Sequence, residues 1–201
     1  EAVHTGGNPA APAFILALIG FISLFFAGYL ATPFLHMWKT RPWVIFVAAG
    51  VGALLALLPE TSYSQEAGRW TGLWIVADNL PVIADRSLLI LLGSTLGAVA
   101  CAAWCTGMGL RDRWMYIAIW AAFVAAQTAS FQIWQRYSEP MVLLMIAIAS
   151  TRLVDRGPEP KASPWARIAG PVLLAAMFAL VTVYHISTST PADFSAVPIE
   201  P

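Results

Sequence analysis

Charge is what this chain has least of. Only 11% of its residues are charged, where a soluble domain carries about 25%. The 11 basic and 11 acidic residues cancel to a formal net charge of zero. That balance argues against a nucleic-acid partner, which would require a basic face to neutralise phosphates. Cysteine and histidine are scarce too, at two and three residues. Cys101 and Cys105 stand four apart in an apolar run, so a helix places them on one face but aims them poorly for a mutual disulfide. No histidine or carboxylate beside them completes a metal site, and they read as small packing residues. His36 and His185 fall at opposite ends of apolar runs, separated by about 30 Å if the runs cross a membrane, so they cannot ligate one haem. His4 lies in the N-terminal segment. With no CxxCH string, no nucleophile motif and no glycine-rich phosphate loop, the sequence assigns no metal, no cofactor and no catalytic residue.

What is present is apolar surface. Hydrophobic residues make up 59% of the chain, the mean hydropathy is +0.70, and there are nine tryptophans, a residue that concentrates at membrane interfaces. The implied fold is all-α, a polytopic transmembrane helix bundle of about six spans. The spans are predicted at residues 13–38, 43–58, 88–108, 114–131, 140–154 and 165–186. Pro42, Pro59, Pro140 and Pro164 fall at or near the span ends, where a missing N–H costs least. Residues 1–12 read as an outer N-terminal loop, and 187–201 as an extended outer tail. The start at Glu1 fits either a mature N-terminus after signal cleavage or a cut from a longer protein.

The basic residues orient the bundle. Lys39, Arg41, Arg111, Arg113, Arg152, Arg156, Lys161 and Arg167 fall on one side, and only Arg69, Arg86 and Arg136 on the other. By the positive-inside rule the first set is cytoplasmic, giving an N-out, C-out topology. The long loop 60–87 then faces out. Its Trp70, Leu73, Trp74 and Ala77 share one face of a short amphipathic helix suited to the outer interface. In the third span Gly93, Gly97, Cys101, Cys105 and Gly109 recur every four residues. This small-residue stripe serves close helix packing, within the chain or against other membrane protein chains.

Polar residues cluster at the outer end of the fourth span, in the run Gln127, Thr128, Ser130, Gln132, Gln135, Arg136, Tyr137, Ser138 and Glu139. Polar groups are costly in a bundle, so such a cluster marks a candidate site. Arg136 offers a planar fork of donors suited to phosphate or carboxylate. With Arg69 and Arg86 it could surround an anionic lipid headgroup. The competing reading makes these ordinary ion pairs, Arg136 with Glu139 and Arg86 with Asp85.

The string Gln135-Arg136-Tyr137-Ser138-Glu139-Pro140, followed by an apolar run, resembles the Arg-Tyr-x-x-Pro string of polytopic GT-C glycosyltransferases of the protein-mannosyltransferase and aminoarabinose-transferase type. In that family the string stands just outside a late transmembrane helix, as Arg136, Tyr137 and Pro140 do here. The resemblance implies a polyprenyl-phosphate sugar held on the outer side of a bacterial inner membrane. It implies Arg136, Tyr137, Gln132, Gln135, Glu139, Arg69 and Arg86 as the ligand-binding set. The family's catalytic acidic residue stands in the first outer loop, which has no counterpart here, so the chain would correspond to the C-terminal half of such an enzyme. The alternative is a non-catalytic subunit of a respiratory, photosynthetic or transport assembly.

Overall fold

A computed structural model describes residues 6–153 and 163–188. Eight helices dominate these residues. They are α1 (Ala11–Phe25), α2 (Ala27–Thr40), α3 (Pro42–Leu57), α4 (Leu73–Asp78), α5 (Leu88–Gly107), α6 (Leu110–Ala129), α7 (Gln135–Thr151) and α8 (Pro164–Thr188). One small hairpin, β1 (Val82–Ile83) with β2 (Arg86–Ser87), interrupts the series. The all-α expectation holds. Six full spans do not emerge: α5 and α8 are long and apolar enough to cross a membrane, and a third crossing is available if the bent α1–α2 pair is one span. Helix α3 is apolar but only 16 residues long. Helices α6 and α7 carry polar ends, Arg111-Asp112-Arg113 on α6 and Gln135–Glu139 on α7, which dilute their apolar stretches.

Helix α1 is apolar on every face, and a helix of that kind belongs in an interior. Ala11, Ala13, Phe14, Ile15 and Ala17 are all fully buried. Its closest neighbour is α5. At Gly20 an added Cβ would lie 2.8 Å from the Gly97 backbone nitrogen, and at Gly97 it would lie 2.6 Å from the Leu16 carbonyl carbon. The upper part of the small-residue stripe is therefore spent inside the chain, letting two backbones touch. Helix α3 packs on another side of α5, where Gly52 permits the approach and the Ser94 hydroxyl donates to the Gly52 carbonyl at 2.8 Å.

The single first span over 13–38 is corrected. The chain breaks at Phe26 and turns by 106° between α1 and α2. The run 21–30 contains no proline, and Pro33 sits inside α2 rather than at the bend. The corner is tertiary in origin: Gly28 and Gly170 let α8 reach it, with Ala166 and Phe25 as the backbone neighbours. Beyond the bend, α2 packs Pro33 against Gly107 and Met37 beside Ala103, at the end of α5.

Two further expectations change. The helix of the predicted fifth span, 140–154, begins at Gln135 rather than Pro140, so the polar string is the first turn and a half of α7, with Pro140 inside the helix. The loop 60–87 is not an amphipathic helix lying free on the interface. Its helix α4 has six residues, and Trp74 is driven into the core, fully buried and stacked on Phe14 at 4.9 Å. The N-terminal loop ends at α1 with Pro12 in its first turn. The predicted features at residues 1–5, 154–162 and 189–201 lie outside the described residues.

Candidate functional site

Three chain segments meet at one end of the bundle, and Asn8 ties them together. It is 2% exposed. Its amide donates to the carbonyls of Ala67 at 3.0 Å and Phe131 at 3.2 Å, while its side-chain oxygen accepts from the Ala10 N–H. Its own N–H donates to Thr128 at 2.8 Å. Gly68, at φ +69°, completes the contact, since a Cβ there would meet the Phe131 carbonyl at 2.5 Å. Loop 60–87 and the α6–α7 connection are thereby fixed to each other and to the start of α1.

Between them lies a cavity of about 740 Å³, lined by Gln65, Trp70, Gln127, Ser130, Phe131, Gln132, Trp134 and Tyr137. Trp70 and Trp134 meet edge to face at 5.2 Å. Among the described residues, the side-chain amides of Gln127 and Gln132 have no hydrogen-bond partner. Arg136 stacks on two of the wall residues, its guanidinium 4.5 Å from the Trp134 ring centre and 5.0 Å from that of Tyr137. It remains exposed. The same wall is the N-terminal end of α7, where peptide dipoles favour an anion. Among the described residues, no carboxylate lines the cavity.

The predicted site residues divide into three groups. Gln132 and Tyr137 line the cavity, with Arg136 against its wall. Gln135 and Glu139 form a clamp: the Gln135 side chain accepts from the Leu73 N–H and donates to Glu139, fastening α4 to α7. Glu139 is thus partnered by Gln135, and the Arg136–Glu139 pair is absent among the described residues. Arg69 and Arg86 serve the loop. Arg69 is 5% exposed, donates to the Ser62 carbonyl at 2.8 Å and pairs with Glu60 at 3.5 Å. Burial pushes its pKa down, against the opposing pull of Glu60. Arg86 donates to the carbonyls of Leu57 and Ala84, closing the end of α3 onto the hairpin, and does not pair with Asp85. A three-arginine cradle is therefore replaced by one arginine beside an aromatic and amide cavity.

Sequence reasoning missed Asn8, Gln65 and Trp134. The first two lie 50 or more residues from the polar run, and only the fold brings them to it. Trp134 stood within the run but was masked by its apolar character. A second cavity, apolar and of about 520 Å³, lies between α1, α3, α5 and α6; the free thiols Cys101 and Cys105 are on its wall. Among the described residues no group of His, Cys, Asp or Glu is placed to hold a metal ion.

The fold and site define a class: an all-α chain of membrane-spanning character with a polar, aromatic cavity at one end of its bundle. No protein-family model matches the chain, and comparisons with curated proteins and with solved structures return no match.

Proposed function

We propose that the chain is the ligand-holding membrane part of a GT-C-like glycosyltransferase, and that its end cavity takes a polyprenyl-phosphate sugar from the outer side of a bacterial cytoplasmic membrane. Arg136 carries the reading. It is exposed, has no carboxylate partner among the described residues, and stacks on two cavity walls. Aromatic faces suit the C–H faces of a sugar ring, open amides suit its hydroxyls, and an arginine fork beside a helix N-terminus suits the phosphate. The cavity wall, with no carboxylate among the described residues, holds the donor in this reading, and the reacting acid comes from elsewhere.

The topology belongs to the same proposal. Six crossings arise if the bent α1–α2 pair is the first, with the cavity outside and Lys39, Arg41, Arg111 and Arg113 on the cytoplasmic side. Gln65→Cys should then react with a membrane-impermeant thiol reagent in intact cells, and Lys39→Cys should not. The reverse pattern sinks the orientation.

The binding test uses purified protein and a polyprenyl-phosphate sugar. Losing a charge-assisted hydrogen bond costs about 1.5–3 kcal/mol, so Arg136→Gln should bind about tenfold to a hundredfold more weakly. Arg136→Lys should recover only part of that, because a point charge does not reproduce the fork. Equal affinity in all three proteins, or no binding by the wild type, would leave the non-catalytic subunit reading in its place.

A further inference from the structure

The end cavity offers polar groups but no ionic ones. Among the described residues, neither a carboxylate nor a lysine, arginine or histidine lines it. Its wall takes a glutamine from each of three segments: Gln65 in loop 60–87, Gln127 in the last turn of α6, and Gln132 in the α6–α7 connection. Gln65 already donates to the Tyr63 hydroxyl at 3.0 Å. Gln127 and Gln132 are half-buried, and their side-chain amides have no hydrogen-bond partner among the described residues. An open amide presents both donors and an acceptor, the complement of neighbouring hydroxyls that give one hydrogen bond and take another. A neutral polyol satisfies such groups. A charged one does not, because nothing on the wall balances it and an unpaired charge is costly to take from water. Arg136 lies against the same wall, stacked on Trp134 at 4.5 Å and Tyr137 at 5.0 Å, and its charge opposes any cation placed in the cavity.

The volume of about 740 Å³ falls within the roughly 300–1,000 Å³ of small-molecule sites. It is too roomy to sort one sugar ring from another by size, so selection falls to charge and hydrogen bonding. We infer that the end cavity selects an uncharged sugar and rejects one bearing a ring amine, with Gln127 and Gln132 reading the hydroxyls. The inference rests on the cavity's being the seat of a lipid-linked sugar, and it divides that site in two. Arg136 holds the phosphate, and the amides discriminate the sugar.

The test titrates the purified full chain in lipid nanodiscs with four short-chain polyprenyl phosphates. These are the unglycosylated phosphate, a neutral hexose form, the same sugar with an amine at ring carbon 4, and that amine N-acetylated. Wild type should bind the hexose form about tenfold to a hundredfold more tightly than the bare phosphate, the effect of two neutral hydrogen bonds. The amine should lose most of that gain. Acetylation, which removes the charge and keeps the ring, should restore it. Gln127→Leu and Gln132→Leu should each reduce the gain by about three- to tenfold, and their affinity for the bare phosphate reports that the fold is intact. Arg136→Gln should weaken all four ligands and leave the gain from the hexose unchanged. The two ideas fail separately. If neither the bare phosphate nor the hexose form binds, the lipid-linked reading falls and this inference falls with it. Four results overturn the selection alone, with the bare phosphate still bound: the hexose adds nothing, the amine binds as tightly as the hexose, the acetylated sugar stays as weak as the amine, or both glutamine variants behave like wild type.

Discussion

Gly97→Ala adds one methyl group where two helix backbones touch, an approach as close as any at the described glycines. The new Cβ would overlap the Leu16 carbonyl, lying 2.6 Å from its carbon and 3.1 Å from the Gly20 nitrogen. Both neighbours are helical backbone, so no rotamer change relieves the clash. Helices α1 and α5 must separate, and the fully buried side chains between them lose contact along the seam. Overpacking of this kind costs about 1–3 kcal/mol. For a chain of this size each kcal/mol corresponds to about 2–4 °C in melting midpoint, so a fall of about 2–12 °C is expected. Cys101 and Cys105 are free thiols partly shielded by the fold, and a thiol-reactive fluorogenic dye reports their exposure on heating. Gly50→Ala is the control, since nothing lies within 4 Å of a Cβ there. Gly20→Ala opens the same seam, so its cost should be less than additive with that of Gly97→Ala. If Gly97→Ala melts together with Gly50→Ala, the close approach of α1 and α5 is wrong.

Other substitutions probe the end of the bundle. Trp74→Ala removes a fully buried ring stacked on Phe14 and should cost about 3–5 kcal/mol; a melting midpoint close to that of wild type would mean that loop 60–87 is not packed into the core. Asn8→Ala removes the donor to the Ala67 and Phe131 carbonyls and the acceptor for the Ala10 N–H, at about 1–3 kcal/mol for each buried group left unsatisfied. Limited proteolysis should then cut loop 60–87 faster, and an unchanged digestion pattern would refute the role of Asn8. Arg69→Met removes the donor to the Ser62 carbonyl and the partner of Glu60; it should destabilise the loop without weakening polyprenyl-phosphate binding beyond what the loop itself contributes. A loss of affinity as large as that of Arg136→Gln, with the fold intact, would return Arg69 to the site.

The sequence by itself determined the helical, membrane-like character of the chain, because low charge and long apolar runs dictate that the backbone satisfies its own hydrogen bonds. It also located the starts of α3, α5 and α8 to within one residue, at Pro42, Leu88 and Pro164, where proline or a capping serine leaves a local mark. The polar run ending in Glu139 was legible as a cluster for the same local reason, and Gln127, Ser130, Gln132 and Tyr137 from it line the end cavity. The tertiary structure decided the rest. At the turn beside Phe26, α8 packs closely through Gly28 against Ala166 and through Gly170 against Phe25, contacts between residues more than 130 apart in the chain. Arg69 and Arg86 left the candidate cradle because nearby carbonyls, invisible in side-chain chemistry, needed donors. Trp74 went inward because Phe14 of the central helix offered it a face. Charge and periodicity are properties of a segment and can be read along the chain, whereas the partner that claims a side chain is a property of the packed bundle.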